Sequence, residues 1–133
     1  MKENTISGKV IGAAIEVHKQ LGPGLLEKTY QHCLFHELRR RGISVRKEVP
    51  LPVVYKGEKL DLGYRIDLLV GDKVIVEVKA VEALAPIHTA QVLTYLKLKE
   101  KKLGLLINFN TLLLKNGIQR VLNGYIQPSE LKD

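Results

Sequence analysis

The chain has 133 residues, 45% hydrophobic and 26% charged, which excludes wholesale disorder and fibrous repeats. The length suits one domain, residues 1–133, with a core large enough to need no covalent staple. Its 21 Lys plus Arg against 14 Asp plus Glu give a formal charge of +7. That balance points toward a polyanion, nucleic acid being the commonest, although many small domains carry such charge for solubility alone. The lone cysteine, Cys33, has no intramolecular partner, which fits a reducing, cytoplasmic setting. No apolar run approaches the roughly 20 residues of a membrane span, and Met1-Lys2-Glu3-Asn4 opens no signal-peptide pattern.

Apolar residues at Ile6, Val10, Ala14, Val17 and Leu21 have the spacing of an amphipathic helix, which Gly22-Pro23-Gly24 ends. A second helix is expected over Leu25 to Arg41, with Leu26, Tyr30, Cys33, Leu34 and Leu38 inward and Gly42 as its C-cap. Val-rich Ser44 to Tyr55, with Pro50 and Pro52, reads as extended edge structure, and Lys56-Gly57-Glu58-Lys59 as a turn. Leu60 to Val70 and Lys73 to Ala80 read as two strands about Gly71-Asp72. Pro86 opens a third helix that runs to Glu100. Leu103 to Phe109 is a buried strand. Lys115 to Tyr125 fits strand or short helix, with a strand favoured at Ile118 to Leu122. The class is α/β, a mixed sheet flanked by helices.

The central hairpin is the most informative feature. A two-residue loop would oppose Asp67 to Val76 and Ile66 to Glu77, mixing polar and apolar faces. One more loop residue opposes Val70 to Val74, Leu68 to Val76 and Ile66 to Val78, making an apolar face continuous. A one-residue slip flips every side chain, so burial selects this register, with a three-residue loop Gly71 to Lys73 or a bulge of equal effect. The same register sets Asp67 opposite Glu77, with Lys79 two residues along.

Opposed carboxylates repel unless a cation intervenes. Hard Mg²⁺ or Mn²⁺ takes such oxygen ligands, and Lys79 is then placed to polarise a water or offset phosphate charge. The plainer alternative is an ordinary Glu77–Lys79 ion pair on a solvated strand. His32 and His36, at i and i+4, lack a third ligand of suitable spacing for zinc.

Three further pieces bear on this choice. Gly24-Leu25-Leu26-Glu27-Lys28-Thr29-Tyr30 matches Gly-x-x-Glu-x-x-Tyr, Asp67 with Glu77-Val78-Lys79 matches Asp…Glu-x-Lys, and Gln91-Val92-Leu93-Thr94-Tyr95 matches Gln-x-x-x-Tyr. In this order they resemble the GxxExxY proteins of the PD-(D/E)XK nuclease superfamily, RecB-type branch, from about Ile11 to Tyr125. Ile66 stands where the superfamily has proline before Asp67, a change it tolerates.

The resemblance implies a PD-(D/E)XK-like core and a metal-dependent nuclease acting on nucleic acid, DNA ahead of RNA, with Mg²⁺ or Mn²⁺ as cofactor. Asp67, Glu77, the Val78 carbonyl and Glu27, directly or through water, would ligate the metal. Lys79 would be the catalytic lysine and Gln91 would position phosphate or water, while Tyr30, His88 and Tyr95 would contact substrate. Each has a plainer reading: Glu27 as a helix-start acid, both tyrosines as core aromatics, Gln91 as a backbone cap. A domain this small can need a partner or a homodimer to enclose its substrate. The alternatives to an enzyme are a non-catalytic nucleic-acid-binding module that keeps the fold, and a protein-interaction domain.

Overall fold

All three expected helices form in the computed structural model, which describes residues 1–124. They are α1 (Glu3–Leu21), α2 (Glu27–Arg40) and α3 (Pro86–Lys99). The strands are β1 (Val45–Pro50), β2 (Val53–Tyr55), β3 (Glu58–Leu60), β4 (Arg65–Val70), β5 (Val74–Lys79), β6 (Leu103–Asn108) and β7 (Ile118–Leu122). A short 3₁₀ turn, Leu114–Gly117, precedes β7. The expected strand at Ile118 to Leu122 is present; the remainder of that segment, Tyr125, lies outside the described residues.

One five-stranded sheet has the order β1-β4-β5-β6-β7, and β2 and β3 make a separate two-stranded arm. Only β5 and β6 run parallel, joined by the crossover helix α3. Helices therefore cover both faces. Leu68, Val70, Val76 and Val78 pack with Val10, Tyr30 and Leu34 of α1 and α2. Leu69, Ile75 and Leu106 pack with Val92, Tyr95 and Leu96 of α3. Double-sided burial explains why β5 and β6 read as nearly unbroken apolar runs.

Helix ends follow local chemistry. Gly42 N–H bonds Arg39 C=O and Ile43 N–H bonds Leu38 C=O, both at 3.0 Å, closing α2 in a Schellman pattern. Two expected core residues are not core. Leu26 is 78% exposed because it precedes the first helical residue, with extended backbone. Leu21, the last residue of α1, is 38% exposed. Cys33 is partly buried against the α1/α2 core.

The strand expected from Leu60 to Val70 begins only at Arg65. Leu60 belongs to the arm, and Asp61 Oδ1 accepts the Gly63 N–H at 3.2 Å, a local side-chain turn that competes with extension. The hairpin register is as the parity argument requires: Leu68 opposes Val76, Leu69 opposes Ile75, Val70 opposes Val74. The loop is Gly71 to Lys73, with Gly71 and Asp72 at φ of 59° and 57°. Gly71 also leaves room for α1, since a Cβ there would come 2.7 Å from Ile6 Cδ1.

One expectation is corrected. Ile66 does not continue the face of Leu68. It packs on the α3 side with Val49 and Leu51, while Leu68 packs on the α1/α2 side. The β1–β4 ladder pairs Lys47 with Leu68 and Val49 with Ile66, passing over Asp67, and the β4–β5 ladder stops at Leu68. Glu48, across from Asp67, has a left-handed φ of 53°. β4 thus turns over at Asp67.

Gly104 sets how closely α3 approaches the sheet, because a Cβ there would lie 2.6 Å from Val92 Cγ1. Gly104→Ala is expected to destabilise the fold by about 1–3 kcal/mol. Urea unfolding checks this, and adding Val92→Ala should recover part of the loss if the clash is the cause.

Candidate active site

Where β4 turns over, side chains take the place of ladder bonds. Asp67 N–H donates to Glu77 Oε2 at 2.8 Å, and Val78 N–H donates to Asp67 Oδ2 at 2.8 Å. Each carboxylate thus has one oxygen on a backbone amide of the other's neighbourhood. Glu77 is 4% exposed and Asp67 is part-buried. Among the described residues neither makes an ion pair.

Burial pushes the Glu77 carboxyl up to about 8, and repulsion from Asp67 adds to it. Asp67 is raised too, chiefly by burial, against the lowering effect of the Val78 amide and the Lys79 charge. The Glu77–Lys79 ion pair of the plainer reading does not form: Lys79 Nζ donates to Gln91 Oε1 at 3.3 Å. Gln91 Nε2 in turn donates to the Tyr95 hydroxyl at 3.4 Å, the i, i+4 spacing on α3 aligning the two. Burial raises the Tyr95 hydroxyl.

Glu27, the first residue of α2, reaches the end of β5, where its Oε2 accepts the Ala80 N–H at 3.3 Å. Its charge contributes to raising both Asp67 and Glu77. Among the described residues, however, no three acid, histidine or cysteine side chains are close enough to share one ion. Glu27 therefore stands at the edge of the carboxylate pair and does not complete a three-acid cluster with it.

Tyr30 is not placed as a substrate contact. It is fully buried and stacked on Phe109, with ring centres 4.6 Å apart. Its hydroxyl donates to Gly22 C=O at 2.6 Å and accepts the Leu25 N–H at 3.1 Å, clasping the turn that leads into Glu27. His88 Nδ1 accepts the Ala85 N–H at 2.9 Å and so caps α3, while the ring lines a cleft of about 580 Å³. Lys79, Gln91 and Tyr95 line the same cleft, facing Val53 and Tyr64.

Three positioning residues carry no signal strong enough to be singled out from the sequence. Gln31 is 2% exposed and donates from Nε2 to the Asp67 C=O at 3.3 Å. Lys28 Nζ bonds Gln31 Oε1 at 3.3 Å and Glu48 Oε1 at 2.5 Å, and its charge lowers Asp67 slightly. Gln31 lies four residues after Glu27, so that spacing on one helix face was the available signal. Asn108, also buried, bonds both N–H and C=O of Val81 at 3.0 Å and holds the chain beyond Lys79.

Asp67 on β4 beside the Glu77-x-Lys79 of β5, on a mixed sheet between helices, is the arrangement of a nuclease-type core. The chain belongs to the PD-(D/E)XK nuclease superfamily, whose family model matches residues 4–121. No curated protein and no solved structure matches it.

The raised Glu77 carboxyl has a consequence for stability. Between the ordinary value of 4.5 and about 8 the folded chain holds a proton that the unfolded chain releases. Stability contributed by Glu77 is therefore present at low pH and lost as pH rises across that window. In EDTA, Glu77→Gln should melt higher than the parent at pH 8, with the difference shrinking toward pH 5. Thermal unfolding across that range checks it, and a difference constant with pH would contradict it.

Proposed function

We propose that the chain is a metal-dependent nuclease hydrolysing nucleic-acid phosphodiester bonds, with Mg²⁺ or Mn²⁺ as cofactor. The observation that carries the reading is the pair of buried Glu77 and part-buried Asp67, which makes no ion pair among the described residues, with Lys79 beside it. An ion-sized conflict of like charge in a hard oxygen set is what a divalent cation relieves. Asp67 and Glu77 would hold it, with the Val78 carbonyl; Glu27 would act through water, since one of its oxygens is engaged by Ala80. When bound, such an ion supplies an ionised water and neutralises charge on the phosphoryl group.

The chain's own residues do the rest. Lys79, held by Gln91, offers a positive charge to the phosphate oxygens as negative charge grows there. Gln91, fixed between Lys79 and Tyr95, orients a phosphate or a water. Val78 N–H aims Asp67 and favours its ionised form, partly offsetting the effect of burial. The Gly24-x-x-Glu27-x-x-Tyr30 and Gln91-x-x-x-Tyr95 motifs support assignment to the GxxExxY proteins and the RecB-type branch. The net positive charge favours a nucleic-acid partner without separating DNA from RNA; DNA is proposed ahead of RNA on the resemblance alone. A homodimer would enlarge the small substrate-facing surface. No helix among the described residues is long and apolar enough to cross a membrane.

The test is cleavage of labelled single- and double-stranded DNA and RNA in Mg²⁺ or Mn²⁺ against EDTA. Cutting should require metal, vanish in Glu77→Ala and Asp67→Asn, and fall about 10²–10³-fold in Lys79→Ala. Absence of cutting, together with absence of metal binding by the parent chain, would favour the non-catalytic nucleic-acid-binding module.

A further inference from the structure

The cleft beside Lys79 has a chemistry of its own. It opens between α3 and the segment that joins the arm to β4, and its volume, about 580 Å³, falls within the range of small-molecule sites. Val53, Ile87, Ala90 and Leu98 give it apolar walls. Tyr64 lies edge-on to Tyr95, ring centres 6.4 Å apart at 72°, yet keeps 47% of its surface exposed. Its backbone is anchored, the C=O accepting Leu51 N–H at 3.0 Å and Arg65 Nη1 at 2.9 Å. Polar groups are few: Thr94, His88, Gln91, and Lys79 at the carboxylate end. With Nδ1 accepting from Ala85, the neutral His88 ring carries its proton on Nε2, a donor for the cleft.

A ligand that fits must be flat and apolar over most of its length, edged with hydrogen-bonding atoms, and anionic at one end. A purely apolar ligand would leave Lys79 without a counter-charge, and a bare phosphate would leave the walls wet. A nucleotide has all three features, with its phosphate one sugar away from its base. Bases within a duplex are stacked and paired and do not present a free face. We infer that this cleft is a nucleobase subsite, receiving one unpaired base on Tyr64 while the adjoining phosphate lies at Lys79, so that the substrate strand is single-stranded or locally unpaired. The inference rests on the nuclease reading for what happens at that phosphate. The low aromatic content, 5% with no Trp, argues against stacking platforms along an extended strand, but a single pocket needs only one ring.

Binding in EDTA separates the subsite from catalysis. The full chain is titrated into a fluorescein-labelled thymidine oligonucleotide, an abasic strand of the same length, and the thymidine strand paired in a duplex, read by anisotropy. The parent should bind the thymidine strand about tenfold or more tighter than the abasic strand, and the duplex no better than the abasic strand. Ala90→Trp, at an exposed α3 position that fills the cleft, and Tyr64→Leu should each abolish that preference while leaving abasic binding unchanged. Equal binding of thymidine and abasic strands by the parent, tighter binding of the duplex, or preference kept in folded Ala90→Trp overturns the inference. Metal-dependent cutting with no base preference would leave the nuclease standing and remove the subsite. Base preference without cutting would do the reverse.

Discussion

The structure turns on the exchange of bonds between Asp67 and Glu77. Each carboxylate takes a backbone N–H from the other's strand, Asp67 N–H to Glu77 and Val78 N–H to Asp67. The ladders on both sides of Asp67 lapse there, and β4 turns its side chains over, sending Ile66 to the α3 core and Leu68 to the α1/α2 core. Glu48 takes a left-handed φ across from it, with its carboxylate held by Lys28. Burying two like charges opposes folding, and the apolar packing on both sheet faces has to outweigh it. A fold under selection for stability alone gains nothing from such a pair, so its presence is evidence of a chemical role.

Around this pair, three helices supply groups that no single strand could. α2 brings Glu27 to Ala80 and Gln31 to the Asp67 carbonyl. α3 brings Gln91, which turns Lys79 away from the carboxylates and toward the cleft they share. α1 acts indirectly, ending at the Gly22 turn that Tyr30 clasps. The Gly24-x-x-Glu27-x-x-Tyr30 spacing thereby gains a physical meaning. Tyr30 fixes the turn from inside the core, and the helix that starts immediately after it begins with Glu27 at the end of β5. A core aromatic and a site acid are coupled through one turn of helix.

Much of this was legible in the sequence. Helical periodicity located α1 and α2, Pro86 marked the start of α3, and the parity of Leu68, Val70, Val74 and Val76 was enough to choose a three-residue loop over two, because the wrong choice buries Glu77 against Ile66. The same parity argument missed at Ile66, since alternation presumes an unbroken ladder and cannot foresee carboxylates replacing ladder bonds. The plainer alternative took the strand carrying Glu77 and Lys79 as solvated, whereas Ile75, on the same face, is buried under α3. Leu26 was misplaced because a helix start is decided by backbone geometry at one residue, below the resolution of a hydrophobic pattern. Tyr64 left no signal because it matters through Tyr95, far along the chain, and Gln31 offered only its spacing from Glu27, since its partner Asp67 is equally remote.

The burial that raises Glu77 also determines how the site can be filled. Near neutral pH the pair is most readily kept with one proton, because desolvation and mutual repulsion both penalise the doubly charged form. On the proposed reading, a divalent cation held by Asp67 and Glu77 would have to displace that proton, so proton and cation would compete for one position. Lys79 does not relieve the conflict in their place: its amine is committed to Gln91, and its charge lowers both acids without restoring them to the ordinary range. On the proposed nuclease reading, Gln91, by engaging the lysine, would leave the acid pair for a cation and the positive group for a phosphate. Among the described residues no ion pair joins those charges, and Lys79 lines the cleft while Asp67 and Glu77 stand beside it; on the proposed reading that separation would suit a phosphodiester better than a mere scaffold.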